Sequence, residues 1–176
     1  MAEVDFTRAL GRLLRDGSLR DAFAADPITV ARQFSVSDAD LRVLVSLPPA
    51  DLEYQATVLL RKRYDLIRRL LPVTCARLSE AAWPVFREYA RSHWPQSAPA
   101  ELSDARAFCD YLSRTGNPHA PCRSEANRIV FAESDRLFGL YFVPDLPGRR
   151  GAHCGIQLLL RYRKHGWREL TIYLSL

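Results

Sequence analysis

The chain has 176 residues, enough for one good core or for two small units. Its apolar content is ordinary for a globular protein, and no apolar run reaches the length of a membrane span. The net charge of +5 is unevenly spread: residues 1–60 carry nine acids against six bases, whereas Pro147–Arg168 carries six bases and no acid.

The chain begins Met-Ala-Glu-Val-Asp-Phe, an acidic and immediately amphipathic start that argues against a signal peptide. Phe6, Leu10, Leu13 and Leu14 recur at helical spacing and predict a helix over about 3–15. Gly17 stops it, Ser18 is positioned to cap a second short helix through Phe23, and Asp26-Pro27 turns the chain again. Ile28, Val30 and Ala31 predict a third helix, and Ser37-Asp38-Ala39-Asp40 starts a fourth with its acids at the positive end. Pro48-Pro49 closes it and opens a longer helix over about 50–70, with Arg61-Lys62-Arg63 and Arg68-Arg69 on its polar face. Pro72 interrupts that helix, because proline lacks the backbone donor and clashes with the preceding turn.

Helical pattern resumes to Ala82, and again from Pro84 to about Trp94. A loop over 95–102 follows, then helices over about 103–112 and 121–136 separated by Gly116-Asn117-Pro118. From Leu137 the pattern changes to period two, predicting strands over about 137–143, 154–163 and 168–175, with a hairpin turn at Lys164-His165-Gly166-Trp167. In the second strand Ile156, Leu158, Leu160 and Tyr162 share one face, opposite Gln157, Leu159, Arg161 and Arg163. That alternation predicts an antiparallel sheet covered on one side. The fold class is α+β: a helical N-terminal region, then helices and a C-terminal three-stranded antiparallel β-meander, divided at 1–79 and 80–176.

Residue patterns that carry chemistry are sparse. Cys75, Cys109, Cys122 and Cys154 form no CxxC pair and read as reduced thiols of a cytoplasmic protein. His119 and Cys122 have HxxC spacing and His153 adjoins Cys154, but zinc sites usually show two close ligand pairs, so no metal or other cofactor is assigned. There is no GxSxG elbow and no glycine-rich phosphate loop, so no catalytic residue is assigned and the chain is not read as an enzyme. Asp38 and Asp40 read as helix-start residues, and Glu125 and Glu133 as solvent-face ion-pair partners of Arg128 or Arg136. Arg61-Lys62-Arg63 invites a nucleic-acid reading, yet the surrounding region is acidic and no helix has a base-reading face.

The basic meander is the best candidate site. An edge strand offers unpaired N–H and C=O groups that an extended peptide can satisfy by adding a strand. Arg149, Arg150, Arg161, Arg163, Lys164 and Arg168 would then steer an acidic peptide. Trp83, Phe86 and Trp94 are candidates for an aromatic protein–protein anchor, against core packing as the commoner use of such spacing.

Two stretches carry a resemblance. One is residues 19–71, with Leu-Arg-Asp-Ala-Phe-Ala-Ala-Asp-Pro at 19–27, Val-Ser-Asp-Ala-Asp-Leu at 36–41 and Ala-Thr-Val-Leu-Leu-Arg-Lys-Arg at 56–63. The other is residues 83–112, with Trp-Pro-Val-Phe-Arg-Glu-Tyr-Ala-Arg-Ser-His-Trp-Pro-Gln-Ser and then Ala-Arg-Ala-Phe-Cys-Asp-Tyr-Leu. Together they resemble small bacterial partner proteins of multinuclear non-haem iron oxidases. Those oxidases modify ribosomally made peptides, as in the methanobactin and 3-thiaglutamate pathways. The resemblance implies a non-catalytic subunit of a heterodimer that helps present a ribosomally synthesised precursor peptide, with the iron held by the oxidase. The sheet is similar in principle to the peptide-recognition elements of such pathways. Members of the family sometimes carry a DNA-binding label, so a DNA-binding transcriptional regulator is the rival expectation.

Overall fold

A computed structural model describes residues 5–95, 99–117, 121–144, 154–163 and 166–174, with backbone alone at 163, 173 and 174. The described chain is α+β: helices first, then one three-stranded antiparallel sheet. Four short helices open it: α1 (Phe6–Arg15), α2 (Gly17–Ala25), α3 (Pro27–Arg32) and α4 (Asp38–Ser46). Their brevity follows from their caps. Asp5, Asp16, Asp26 and Ser37 each turn a side-chain oxygen onto the first turn of the helix that follows, accepting from Thr7, Leu19, Thr29 and Asp40 N–H groups. Asp16, not Ser18, caps α2, and it closes α1 as well; Gly17 is the first residue of α2 rather than a spacer.

The chain then forms α5 (Pro49–Leu70), α6 (Pro72–Leu78), a 3-10 turn at Ser79–Ala81, α7 (Ala82–Ser92), α8 (Ala100–Arg114) and α9 (Arg123–Glu133). Gly116, at φ 61°, takes the left-handed position just past α8 that a side chain would disfavour. Strands β1 (Phe138–Val143), β2 (Cys154–Arg163) and β3 (Gly166–Leu174) follow in that spatial order, with β2 central. Lys164 and His165 of the expected hairpin turn lie outside the described residues, and Gly166 already belongs to β3.

Contacts divide the chain into two units, residues 1–64 with 84–94 and residues 65–83 with 95–176, so α5 and α7 each run from one into the other. In the first unit Ala9, Leu13, Phe23, Val30, Ala31, Phe34, Leu44 and Leu52 form a buried cluster. Buried Arg20 ties three helices around it. Its guanidinium donates to the Leu13 and Leu14 carbonyls at the end of α1 (3.1 and 2.9 Å) and pairs with Glu53 of α5 at 2.9 Å.

In the second unit the start of α6 is held from a distant part of the chain. The Glu125 carboxylate, 1 % exposed, accepts from Val73 N–H (2.7 Å), Thr74 N–H (2.8 Å) and the Thr74 hydroxyl (2.7 Å). Glu125 is therefore an α6 cap and not a solvent-face partner of Arg128. Leu71 precedes Pro72 with no side-chain cap of its own, so the carboxylate supplies the missing acceptor. Glu133 does make an ion pair, but with Arg106 of α8 at 3.1 Å.

Candidate functional site on the C-terminal sheet

The sheet is in register from Phe138↔Leu160 to Val143↔Gly155 on one side of β2, and from Cys154↔Leu174 to Arg161↔Trp167 on the other. Alternation then assigns every side chain to one of two faces. The inner face, against α9, holds Gly139, Tyr141 and Val143 of β1, Gln157, Leu159 and Arg161 of β2, and Trp167, Glu169 and Thr171 of β3. Much of it is polar, and α9 supplies the partners. Fully buried Gln157 donates to the Ser124 carbonyl and to Glu169 (3.0 Å each) and accepts from Asn127 at 3.0 Å. Arg128 pairs with Glu169 at 2.6 Å, and the Thr171 hydroxyl donates to the same carboxylate at 3.2 Å. Most members of this buried network satisfy one another. Arg161 Nε and the Tyr141 hydroxyl are buried without a hydrogen-bond partner among the described residues, and Arg128 Nε meets Glu169 as an ion pair without hydrogen-bond geometry.

Arg161 finishes the inner face. One guanidinium nitrogen donates to the carbonyls of Phe131 (2.9 Å), Ala132 (3.4 Å) and Ser134 (2.6 Å), closing the C-terminal end of α9, while the group lies 5.4 Å over the Phe131 ring. Phe131 in turn meets Trp167 edge-on at 6.4 Å. Gly139 is glycine for want of room: a Cβ there would stand 2.6 Å from the Tyr141 ring and 3.1 Å from the Phe131 ring.

The outer face is apolar and, apart from buried Cys154 at one end, largely exposed among the described residues. Phe138, Leu140 and Phe142 on β1 are 67, 65 and 61 % exposed, and Leu160, Tyr162, Leu170 and Ile172 continue the patch across β2 and β3. At these exposures, seven large side chains leave on the order of 800 Å2 of surface in water. That exceeds the patch of an ordinary monomer and matches one side of a standard protein–protein interface. The described charge on this face is Arg168, whose guanidinium sits 5.6 Å over the Tyr162 ring.

Among the described residues, β1 and β3 pair only with β2. The Arg161 N–H donates to the Leu137 carbonyl, which fixes the ladder's phase. By alternation Phe138, Leu140 and Phe142 turn their N–H and C=O groups outward along β1, as the residues from Trp167 to Tyr173 at odd positions do along β3. A shallow groove of about 550 Å3, lined by Arg136, Leu137, Phe138, Gly139, Leu140 and Tyr141, runs along β1.

The expected peptide-steering residues are placed as follows. Arg149, Arg150 and Lys164 lie outside the described residues; Arg163 is on β2, its side chain likewise undescribed. Arg168 is exposed on the outer face, and Arg161 is committed to α9. The aromatic trio does not form one surface. Phe86 is fully buried, 5.3 Å from the Tyr64 ring and 5.7 Å from that of Tyr89, so it is a core residue of the first unit and not an interface anchor. Trp94 is half-buried between the Arg15 and Arg63 guanidinium groups (5.2 and 4.6 Å), and half-buried Trp83 belongs to the second unit. Arg63 also donates to the His93 carbonyl at 3.2 Å and is itself buried, which removes it from any exposed Arg61-Lys62-Arg63 patch.

The outer apolar face was the feature sequence reasoning missed. The signal was present in Gln157, Glu169 and Thr171, polar side chains in register on one face and matched by Ser124, Asn127 and Arg128 on the preceding helix.

Among the described residues no three His, Cys, Asp or Glu side chains are grouped to hold a metal ion, and no helix is long and apolar enough to cross a membrane. His119 and His153 lie outside the described residues. All four cysteines are free and buried. Burial first, and the Glu125 carboxylate second, push the Cys75 thiol up to about 11 and the Cys109 thiol up to about 12.

Residues 46–114 match the family model described as SCO6045-like, C-terminal domain. The match runs from the end of α4 through α8 and stops before α9 and the sheet. No curated protein and no solved structure matches the chain.

Proposed function

We propose that this chain is a non-catalytic partner subunit that pairs with a multinuclear non-haem iron oxidase and presents to it a ribosomally synthesised precursor peptide. The observation that carries the reading is the sheet edge. β1 turns the backbone groups of Phe138, Leu140 and Phe142 outward beside an apolar groove, which suits an extended segment added as a fourth strand. The six bases and no acids of Pro147–Arg168 favour an acidic segment; with Arg161 held by α9 and Arg168 on the outer face, Arg149, Arg150, Arg163 and Lys164 are the bases proposed to steer it. Backbone pairing gives affinity without demanding one sequence, and charge gives the preference. Chemistry stays with the oxidase. The contribution of this chain is effective concentration, worth orders of magnitude when the peptide's reactive segment is held near the metal centre. The resemblance of residues 19–71 and 83–112 to partner proteins supports the same reading, and the SCO6045-like match overlaps both stretches.

The test is co-expression with the iron oxidase from the same host, followed by native mass spectrometry with and without the precursor peptide. An equimolar complex that gains the mass of one peptide is the expected result. Leu140→Pro deletes an outward N–H of β1, and Thr171→Pro one of β3; an edge strand tolerates such a change. One of the two should abolish peptide binding with the circular dichroism spectrum unchanged. A peptide that binds both variants as it binds the wild type refutes strand addition.

A further inference from the structure

We infer that the outer face of the sheet is the docking surface for the partner protein, separate from the edge that takes the peptide, and that the partner meets it with an apolar centre rimmed by carboxylates. This rests on the partner-subunit reading above. The inner face already has its cover in α9, whose Asn127 and Arg128 side chains meet Gln157 and Glu169 and whose C-terminal carbonyls accept from Arg161. Most of the outer face has none among the described residues, from Phe138 and Leu140 across Leu160 to Leu170 and Ile172, although it is the more apolar of the two. Its area is on the order of one side of a standard interface.

Shape decides against the peptide as its occupant. Neighbouring strands stand about 5 Å apart, so an extended chain covers one strand's width while this patch crosses three. A folded surface is needed. Charge decides against a second copy of this chain. Among its described residues the face presents Arg168 and no Asp or Glu, so face-to-face pairing would bring together two surfaces of one sign. The edges decide against a lipid surface, because the outward backbone groups of β1 and β3 flank the patch and would be left without partners in hydrocarbon.

The experiment uses the full chain with the iron oxidase and the precursor peptide as separate probes. Leu160→Glu/Leu170→Glu places two carboxylates on exposed positions of the patch, and Leu160→Lys/Leu170→Lys places two ammonium groups there. The glutamate pair is expected to weaken oxidase binding by calorimetry at least about a hundredfold. The lysine pair should lose about tenfold less, since an acidic rim tolerates it. Peptide affinity, read by fluorescence anisotropy, and the circular dichroism spectrum should stay as in the wild type for both. Undiminished oxidase binding by the glutamate pair overturns the docking face while leaving the partner-subunit reading intact. Failure of the wild type to bind the oxidase overturns both. Wild-type sedimentation as a dimer that the glutamate pair disrupts assigns the face to a second copy. Wild-type binding to vesicles of anionic phospholipid, lost in the glutamate pair, assigns it to a membrane. Either result also overturns the inference.

Discussion

Single residues in this chain are set by what they are asked to satisfy. Glu125 reads as a surface acid in a helical sequence, yet it is buried because two N–H groups and a hydroxyl at the start of α6 need an acceptor. Glu125→Ala leaves those donors buried and unpaired, and should lower the unfolding free energy by about 3 kcal/mol in urea titrations. The buried thiols make a second case. Cys75 and Cys109 should resist iodoacetamide at about pH 8 in the folded protein and react fully in guanidinium, because the thiolate is the nucleophile. The same shifts set a pH dependence. The folded thiols hold their protons past the ordinary value of 9.0, so the unfolded chain ionises first. Stability from this source is complete below pH 9.0 and declines as pH rises through about 11 and about 12, readable as an alkaline fall in melting temperature.

At the scale of elements, the bond between α9 and the sheet is polar at its two ends and tight in the middle. Arg161→Ala removes three donations to the α9 terminus and the contact with Phe131. It should destabilise the fold by about 2–3 kcal/mol, so charge reversal there measures folding before it measures peptide binding. Gly139→Ala forces the Tyr141 ring off its place over β1 and presses on Phe131, for a loss of about 1–3 kcal/mol in the same urea assay. The strand boundaries themselves were legible in the sequence to within two residues, because period two is a local property of the chain. Which face turned inward was not. Periodicity names two faces, and the more apolar one is the natural candidate for burial; here α9 brought Asn127, Arg128 and the Ser124 carbonyl to the polar one.

For the whole molecule, the proposed roles of the sheet's face and edge predict opposite responses to salt. Association through the apolar face should strengthen in ammonium sulfate, which is excluded from apolar surface. Peptide binding steered by arginines should weaken as sodium chloride shortens the range of attraction. Calorimetry with the oxidase and anisotropy with the peptide, each across a salt series, should therefore slope in opposite directions. A duplex-binding protein would instead show a steep loss with salt of the kind that phosphate contacts produce. The buried, stacked position of Arg63 leaves the basic triplet of α5 short of one of its three cations for such contacts.

The α+β class, the order of helices and strands and the two-faced character of the sheet were all legible in the chain's local pattern, since each depends on neighbours within a few residues. The caps show how local this was: Asp16, Asp26 and Ser37 each act within three residues of themselves. Tertiary structure alone decided what joins residues far apart in the chain. Glu125 reaches Thr74 across 51 positions, Arg161 reaches Phe131 across 30, and Phe86 is buried against Tyr64. It also decided that, among the described residues, most of the apolar side of the sheet is exposed. A side chain's burial is fixed by the partner that arrives opposite it, and α9 arrived with hydrogen-bonding groups that only the polar face could satisfy.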